Sequence, residues 1–194
     1  MGREFELKFR CEAEVLQRIE EDYGEFTPLT MKTTYYDTFD GKLSNARWTL
    51  RRREENGVCV CTVKIPEGEI ARGEWEVECS SIMAAIPALC KLGAPIRLME
   101  FCVNGVGPLC GAAFTRLART VELSDGTCEL ALDRGVLVAN GRETAFAEAE
   151  VEAKTCSDEA AAAFAASLAE KYTLTPESRS KFYRAMILAR GGEV

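Results

Sequence analysis

The sequence predicts an α+β protein in which a closed eight-stranded antiparallel β-barrel forms a tunnel, with helices packed outside. Several segments alternate apolar and charged residues: in residues 4–8, two glutamates and a lysine share one strand face, and phenylalanine and leucine share the other. Turn sequences such as Asn56-Gly57 join neighbouring segments, which favours hairpins. Since a closed barrel leaves no strand edge exposed, it is the natural arrangement for these strands.

The first half of the chain begins with this strand and continues into a helix. Residues 11–23 carry Val15, Leu16 and Ile19 at helical spacing, and Gly24 is a suitable end for the helix. Four further strands are predicted because their residues are β-branched and aromatic or alternate in polarity: 31–39, 45–55, 58–65 and 73–79.

The second half mixes both kinds of signal. Residues 81–92 predict a helix, whereas proline and glycine in 95–113 leave only short helical pieces. Strands separated by turn sequences follow at 114–123, 128–133, 136–139 and 145–154. Ser157 is the expected N-cap of an alanine-rich helix over 157–172, and Pro176 is expected to begin the last helix.

Composition limits the function. The 194 residues fit one domain, 1–194, and 47% of them are hydrophobic, enough for a sizeable core. A net charge of −7 argues against a general nucleic-acid or anionic-membrane binder. The nine cysteines have no zinc-site spacing and there is no histidine, so most cysteines are expected in the core. With no leader or spanning segment, a cytoplasmic protein is expected, and its oligomeric state stays open, a homodimer included.

Charged residues follow the strand alternation throughout the chain. Acidic residues occupy one face of four predicted strands: Glu4 and Glu6; Glu74, Glu76 and Glu78; Asp133; and Glu148, Glu150 and Glu152. Basic residues do the same on others: Arg51, Arg53, Lys64, and Arg116 or Arg119. If helices cover the apolar faces, these charges line the lumen, which is costly unless ligands compensate them. Oxygen-only ligands favour Mg²⁺ or Mn²⁺, and up to two such ions beside lysines and arginines suit phosphoryl transfer to water.

Seven segments in order resemble the signature of the CYTH superfamily, the triphosphate tunnel metalloenzymes. They are Glu4-x-Glu6-x-Lys8, Tyr35-Tyr36-Asp37-Thr38, Leu50-Arg51-Arg52-Arg53 with Thr62-Val63-Lys64, Arg72-Gly73-Glu74, Phe114-Thr115-Arg116, Leu132-Asp133-Arg134-Gly135 with Glu150-x-Glu152-x-Lys154, and Ser180-Lys181. The last of these is similar to the terminal helix of the inorganic-triphosphatase branch. The resemblance covers nearly the whole chain.

This resemblance implies a tunnel that binds a triphosphate and hydrolyses it with a divalent metal. By position, Glu4, Glu6, Glu150 and Glu152 would hold one ion, and Glu74, Glu76 and Asp133 would serve a second. The triphosphate would be bound by the basic residues Lys8, Arg51, Arg53, Lys64, Arg72, Arg116, Lys154 and Lys181. Lys8, Glu74 and Asp133 are the expected catalytic residues.

Several charged and aromatic residues are expected to have no role in the site. Glu78 and Glu148 are expected in solvent, and Arg52 and Arg134 on the surface. Arg119 should lie on the strand face opposite to that of Arg116. Packing under a helix is expected for both tryptophans, Trp48 and Trp75.

The preferred function is hydrolysis of inorganic triphosphate (tripolyphosphate) to pyrophosphate and phosphate. A thiamine triphosphatase or another organic triphosphatase remains an alternative. A class IV adenylate cyclase is less favoured, because that branch usually has an N-terminal His-Phe segment and this chain has no histidine. A polyphosphate-binding module without turnover should lack the second-metal carboxylates, yet Glu74 and Asp133 are both present.

Overall fold

A computed structural model describes residues 5–67 and 71–194. This part of the chain forms the strands β1 (Glu6–Arg10), β2 (Thr27–Asp37), β3 (Thr49–Glu55), β4 (Val58–Glu67), β5 (Ala71–Glu78), β6 (Gly107–Leu123), β7 (Gly126–Ala139), β8 (Arg142–Ala153) and β9 (Thr175–Pro176). Its helices are α1 (Ala13–Tyr23), α2 (Lys42–Asn45), α3 (Ile82–Lys91), α4 (Arg97–Phe101), α5 (Asp158–Tyr172) and α6 (Lys181–Ala189). None of these helices has the length and apolar character needed to cross a membrane.

The strands form one antiparallel sheet in the order β5-β4-β3-β2-β6-β7-β8-β1-β9. The predicted closed barrel of eight strands is therefore wrong for the described residues, in which no ladder joins β5 to the other end of the sheet. The reason lies at β1, whose free side pairs with the short strand β9. There Phe9 lies opposite Pro176, and the amide of Glu177 donates to the carbonyl of Lys8 at 2.8 Å.

Two apolar clusters lie between the sheet and the helices on its outer face. At one end, Leu16 of α1 and Leu168 of α5 pack with Leu130 of β7. At the other end, Leu89 of α3 packs with Leu50 of β3. The apolar strand faces thus turn outward beneath helices, as the alternation predicts.

Helix α6 packs on the opposite face, so the prediction that all helices lie outside is wrong. Its residues Ala185 and Leu188 belong to a third apolar cluster with Phe114 of β6, Leu137 of β7 and Phe146 of β8. Alternation places Phe146 on the same face as the acidic residues of β8. The apolar side of α6 therefore covers one part of the face that carries the charges.

The last helix also begins later than predicted. Pro176 pairs in β9, and α6 starts at Lys181 with Ser180 as its N-cap, whose hydroxyl accepts from the amide of Tyr183 at 3.1 Å. The cap predicted for α5 is confirmed, because the Ser157 hydroxyl accepts from the amide of Ala160.

Two β-strands extend through segments that were predicted otherwise. Only residues 97–104 of the segment 95–113 are helical, and β6 begins at Gly107 because it pairs with both β2 and β7. Strand β7 runs unbroken through Gly135, where two strands were expected. A side chain at position 135 would overlap the backbone of β6 at Ala113 and Phe114, so glycine permits this close approach.

Candidate functional site

Charged residues from four strands lie side by side on the sheet face that α6 partly covers, here called the charged face. Asp133 of β7 is opposite Arg116 of β6 on one side and Glu148 of β8 on the other. One step along β8, Glu150 lies opposite Lys8 of β1. Directly opposed residues of antiparallel strands project to the same face, so the ladder itself brings these groups together.

Three carboxylates form what we call the carboxylate cluster: Asp133, Glu148 and Glu150. Oxygens of all three lie within 4.8 Å of one another, and all three residues are buried. Lys181, the first residue of α6, places its ammonium among them. Its Nζ lies 2.6 Å from Asp133 Oδ2 and 2.8 Å from Glu150 Oε1, and it also contacts Glu148.

Two arginines complete the charge balance of the carboxylate cluster. Arg116 donates two hydrogen bonds to Asp133, each 2.8 Å long, and a third to Glu150. Arg184, one helical turn after Lys181, donates to Glu148. The three carboxylates are thus matched by three closely paired cations, and Lys8 Nζ lies 3.9 Å from Glu150 in addition. Such pairing is the condition under which buried charges are tolerated.

The pKa values of these groups reflect their mutual compensation. Burial alone would raise the pKa of Glu150, but Lys181 and Arg116 lower it well below its usual range. Burial raises the pKa of Glu148, although Lys181 opposes the shift. Burial would lower the pKa of Lys181, but the surrounding carboxylates raise it. The cluster therefore strongly favours a positive charge at the place where Lys181 sits.

The same donor set is suited to a divalent cation. Carboxylate oxygens without sulfur or imidazole are the ligands that Mg²⁺ and Mn²⁺ prefer. Among the described residues, this is the one group of acidic or cysteine side chains whose ligand atoms lie close enough to share a metal ion. Asp133 and Glu150 belong to the predicted metal ligands, whereas Glu148 does not.

A second set of charges lies on β3, β4 and β5. Arg51 Nη2 lies 3.7 Å from an oxygen of Glu74 and 3.7 Å from one of Glu76. Lys64 Nζ lies 3.0 Å from Glu74, and the Thr62 hydroxyl donates to Glu76 at 2.8 Å. The structure thus places Glu74 and Glu76 with the basic residues rather than beside Asp133.

The positive charges of Arg51 and of Arg53, which also lies on β3, are incompletely compensated by acidic partners. The Nε atoms of both are buried, and neither has a hydrogen-bond acceptor within the described residues. Burial, and next the charge of Arg51, lower the pKa of Arg53. Buried donors without acceptors are rare in folded proteins and call for an explanation. An anionic ligand would supply the missing acceptors.

The remaining predicted residues lie around the carboxylate cluster. Glu6 is opposite Glu152, and its carboxylate lies 3.0 Å from Lys8 Nζ. Burial, and next the charge of Glu150, raise the pKa of Glu6. Lys154 lies 2.7 Å from Glu152, with 40% of its side chain exposed.

Two of the predicted residues cannot be placed. Glu4 lies outside the described residues, and so does the side chain of Arg72.

Sequence reasoning missed two residues of this site. The expectation that Glu148 is solvated is wrong, since the residue has no exposed surface and its carboxylate contacts Lys181 and Arg184. Its position two residues before Glu150 was the available signal, because alternation puts both on one face. Arg184 could have been found from its spacing of three from Lys181 on one helix.

Most expectations about residues outside the site are confirmed. Glu78 and Arg134 are exposed. Arg119 donates to the carbonyl of Gly24 at the end of α1, and the indole of Trp48 lies 5.2 Å from the ring of Phe101. Trp75 packs against the apolar cluster beneath α3.

Comparisons with known proteins agree with this fold. The family model of the CYTH domain matches residues 2–186. Among solved structures, the PH1819 protein of Pyrococcus horikoshii is 21% identical, with a TM-score of 0.64, and the match covers 97% of this chain and 99% of that protein. The Hippeastrum protein HpAC1 is 19% identical, with a TM-score of 0.66 and coverage of 98% and 96%. A comparison with curated proteins found no match.

Proposed function

The chain belongs to the CYTH domain family, and from that premise we propose that it hydrolyses inorganic triphosphate to pyrophosphate and phosphate with a divalent metal ion. The observation that carries the proposal is that the buried Nε atoms of Arg51 and Arg53 have no hydrogen-bond acceptor among the residues that the structure describes. They lie on the same sheet face as the carboxylate cluster. A site with unsatisfied donors and a cation-stabilising cluster suits a polyanion that binds together with a metal ion.

Arg51, Arg53 and Lys64 bind the phosphate oxygens in this proposal. Guanidinium groups suit phosphate because they present several donors in a fixed plane. Each hydrogen bond between charged groups contributes roughly 1.5–3 kcal/mol when it replaces an unsatisfied buried donor. Glu74 and Glu76 hold Arg51 and Lys64 in place and, at 3.7 Å from Arg51, leave room for a stronger acceptor.

In this proposal, the basic residues and the carboxylate cluster act on one ligand. The charge of Arg116, which binds Asp133, contributes to lowering the pKa of Arg53. Buried Tyr35 lies between the two sets: burial raises its pKa, and Arg51 and Lys181 both counteract this shift. Tyr35 is opposite Arg51 in the sheet, and its ring lies 4.8 Å from the ring of Phe182, the neighbour of Lys181. In our proposal, a short linear polyanion therefore contacts cations of both sets.

The carboxylate cluster would hold the metal ion, with Glu6 and Glu152 as further oxygen donors beside it. A bound Mg²⁺ or Mn²⁺ would act as a Lewis acid on the phosphate oxygens. Lys181 and Lys8 stabilise negative charge that develops on the departing phosphate, since both ammonium groups lie at the cluster. The carboxylates in turn keep these lysines protonated.

The direct test is phosphate release from tripolyphosphate, thiamine triphosphate and ATP, assayed in parallel with Mg²⁺, with Mn²⁺ and with EDTA. The solved Hippeastrum protein is described as a putative adenylyl cyclase with a dominant triphosphatase activity. ATP and a check for cyclic AMP therefore belong in the assay. Tripolyphosphate should be the best substrate, and EDTA should abolish turnover. Binding without phosphate release would favour a polyphosphate-binding module instead.

Arg51→Ala tests whether the buried donor of Arg51 binds the substrate. Loss of one charged hydrogen-bonding group should lower kcat/KM by about 10- to 100-fold, mostly through KM. Arg97→Ala is the matched control, because Arg97 is an exposed arginine on α4, outside the charged face. Unchanged kinetics in Arg51→Ala, or turnover that is indifferent to EDTA, would refute the proposal.

A further inference from the structure

Two cysteines lie directly opposite each other at one end of the β4–β5 ladder. The amide of Cys79 donates to the carbonyl of Cys59 at 2.9 Å, which continues the register that pairs Val60 with Glu78. Opposed residues project to the same side of a sheet. That side is the outer face, because Cys61, two residues from Cys59, is buried in the apolar cluster beneath α3. The pair is therefore remote from the charged face.

The backbone already brings these cysteines within disulfide distance. Opposed residues of a hydrogen-bonded antiparallel pair have Cα atoms about 5.5 Å apart. Disulfides span Cα separations of roughly 4.4–6.8 Å. Besides side-chain rotation, a small approach of the two strands is needed, because Cβ atoms of directly opposed residues lie about 4.5–5.5 Å apart, whereas a disulfide spans about 3.5–4.5 Å between its Cβ atoms. In the reduced state, the thiol of Cys79 instead donates to the carbonyl of Ser81 at 3.2 Å.

Arg52 gives Cys59 a distinct chemical environment. Its Nη2 donates to Cys59 Sγ at 2.8 Å, and its Nε donates to the carbonyl of Ser80 at 2.9 Å. The second bond fixes the guanidinium beside the sulfur. The attacking form of a cysteine is its thiolate, and reactive cysteines typically lie beside a cation and are partly accessible. Cys59 is half-buried and meets both conditions.

The neighbouring thiol of Cys61 lacks these features. It is fully buried, it donates to the carbonyl of Cys79 at 3.2 Å, and burial raises its pKa to about 11. It therefore stays protonated and shielded from solutes. Cys59 and Cys79 are the two members of the group that can react.

We propose that Cys59 and Cys79 form an oxidation site, which a peroxide converts into a disulfide between β4 and β5. The Cys59 thiolate attacks the peroxide, forming an S–O bond as the O–O bond breaks, and gives a sulfenic acid and water after protonation. Cys79 then attacks this sulfur, the S–S bond forms, and the S–O oxygen leaves as a second water. Two thiols lose two electrons, and one hydrogen peroxide is reduced to two waters.

The disulfide would tie the end of β5 to β4. Among the described strands, β5 pairs with β4 alone, so the end of β5 is hydrogen-bonded to one neighbouring strand. Forming the bond breaks the contact of Cys79 with Ser81, the N-cap residue of α3. The oxidised protein should melt at a higher temperature than the reduced protein, because the cross-link restricts the unfolded chain.

The test is treatment of the reduced protein with hydrogen peroxide, followed by alkylation and mass spectrometry. The intact protein should lose two hydrogens in mass, and trypsin should release residues 54–64 linked to residues 73–91. Fragmentation at Val60 then distinguishes Cys59 from Cys61. In Cys79→Ser, the sulfenic acid of Cys59 should accumulate and be trapped by dimedone. Arg52→Gln should slow alkylation of Cys59 by about tenfold, and Arg52→Lys should slow it less.

Cys90→Ser is the matched control, because Cys90 lies in the same tryptic peptide as Cys79 and is half-buried. This variant should keep the cross-link, and Cys59→Ser should lose it. Free thiols at both Cys59 and Cys79 in the peroxide-treated wild-type protein would overturn the proposal. So would alkylation of Cys59 no faster than that of Cys90 in the wild type, a result that does not depend on any variant folding.

Discussion

Replacing Lys181 with methionine removes the ammonium at the centre of the carboxylate cluster while keeping a side chain of similar length. The wild-type ammonium lies 2.6 Å from Asp133 and 2.8 Å from Glu150, and 11% of its side chain is exposed. Arg116 and Arg184 remain, and Lys8 lies 3.9 Å from Glu150, but the cluster loses its central cation. Removing one partner of a buried ion pair typically costs 3–5 kcal/mol, because the other charge is left uncompensated. We expect Lys181→Met to lower the free energy of unfolding at neutral pH by about that amount.

Urea unfolding followed by circular dichroism at neutral and mildly acidic pH provides the measurement. Burial already raises the pKa of Glu148 in the wild type, and loss of Lys181, whose charge opposes this shift, should raise that folded-state pKa further. A carboxyl with a raised folded-state pKa binds its proton more tightly when folded. It stabilises the protein below that pKa, and this contribution is lost as the pH rises through it. The deficit of Lys181→Met should therefore shrink as the pH falls.

Lys171→Met is the matched control. Lys171 forms an ion pair with Asp22 at 2.8 Å, but 56% of its side chain is exposed, so its removal should leave stability nearly unchanged. If Lys181→Met were as stable as this control, or its deficit did not change with pH, the cluster would not need the ammonium. The electrostatic account of the site would then be wrong.

Two further predictions concern the fold around the site. The pKa of Glu177 is lowered to about 2, mainly by hydrogen bonds from Arg179. Its stabilising effect should therefore be present above its unfolded pKa and lost as the pH falls toward 2. Urea unfolding of Glu177→Gln across that range should lack this part of the pH dependence. Gly135→Ala should cost about 1–3 kcal/mol in thermal or urea unfolding because its methyl group would overlap β6. Gly57→Ala is the control: it has open space but positive φ, and should cost about 1 kcal/mol. Equal losses of stability in the two glycine variants would show that a methyl group at position 135 does not overlap β6.

The sequence predicts the charged face well because strand alternation is a local property. Arg116, Asp133 and Glu150 could be assigned to one face from parity, and antiparallel hairpins bring neighbouring strands into contact without long-range information. The apolar faces beneath α1, α3 and α5 follow from the same alternation. Parity cannot predict which charged residues of that face form ion pairs with one another. Glu148 and Glu150 follow the same pattern as Glu152, and only their depth beneath α6 distinguishes them.

The failures in the fold involve partners distant in sequence. β9 takes the free side of β1, and a pattern search cannot predict a two-residue strand. Pro176 is a valid helix start by local rules, yet pairing with Phe9 places it in that strand. Helix α6 has an apolar side that could cover either face of the sheet. Its position on the charged face is fixed by Phe114 and Phe146, which form an apolar surface beside the charges.

The two sets of charges differ in how fully the chain itself compensates them. Lys181, Arg116 and Arg184 form close ion pairs with the carboxylate cluster, whereas Arg51 lies 3.7 Å from Glu74 and Glu76, and Arg53 lies 3.8 Å from Glu55. An anion is therefore bound most readily at these arginines, where the existing ion pairs are long and the easiest to displace. Phosphate oxygens that then reach Lys181 and Arg116 compete with Asp133 and Glu150 for the same cations. Each carboxylate released in this way is an oxygen donor available to a divalent cation. By linkage, anion and cation should each favour the binding of the other. Under the proposed function, this coupling would let a site that is nearly neutral by itself bind both charges of a metal–triphosphate pair.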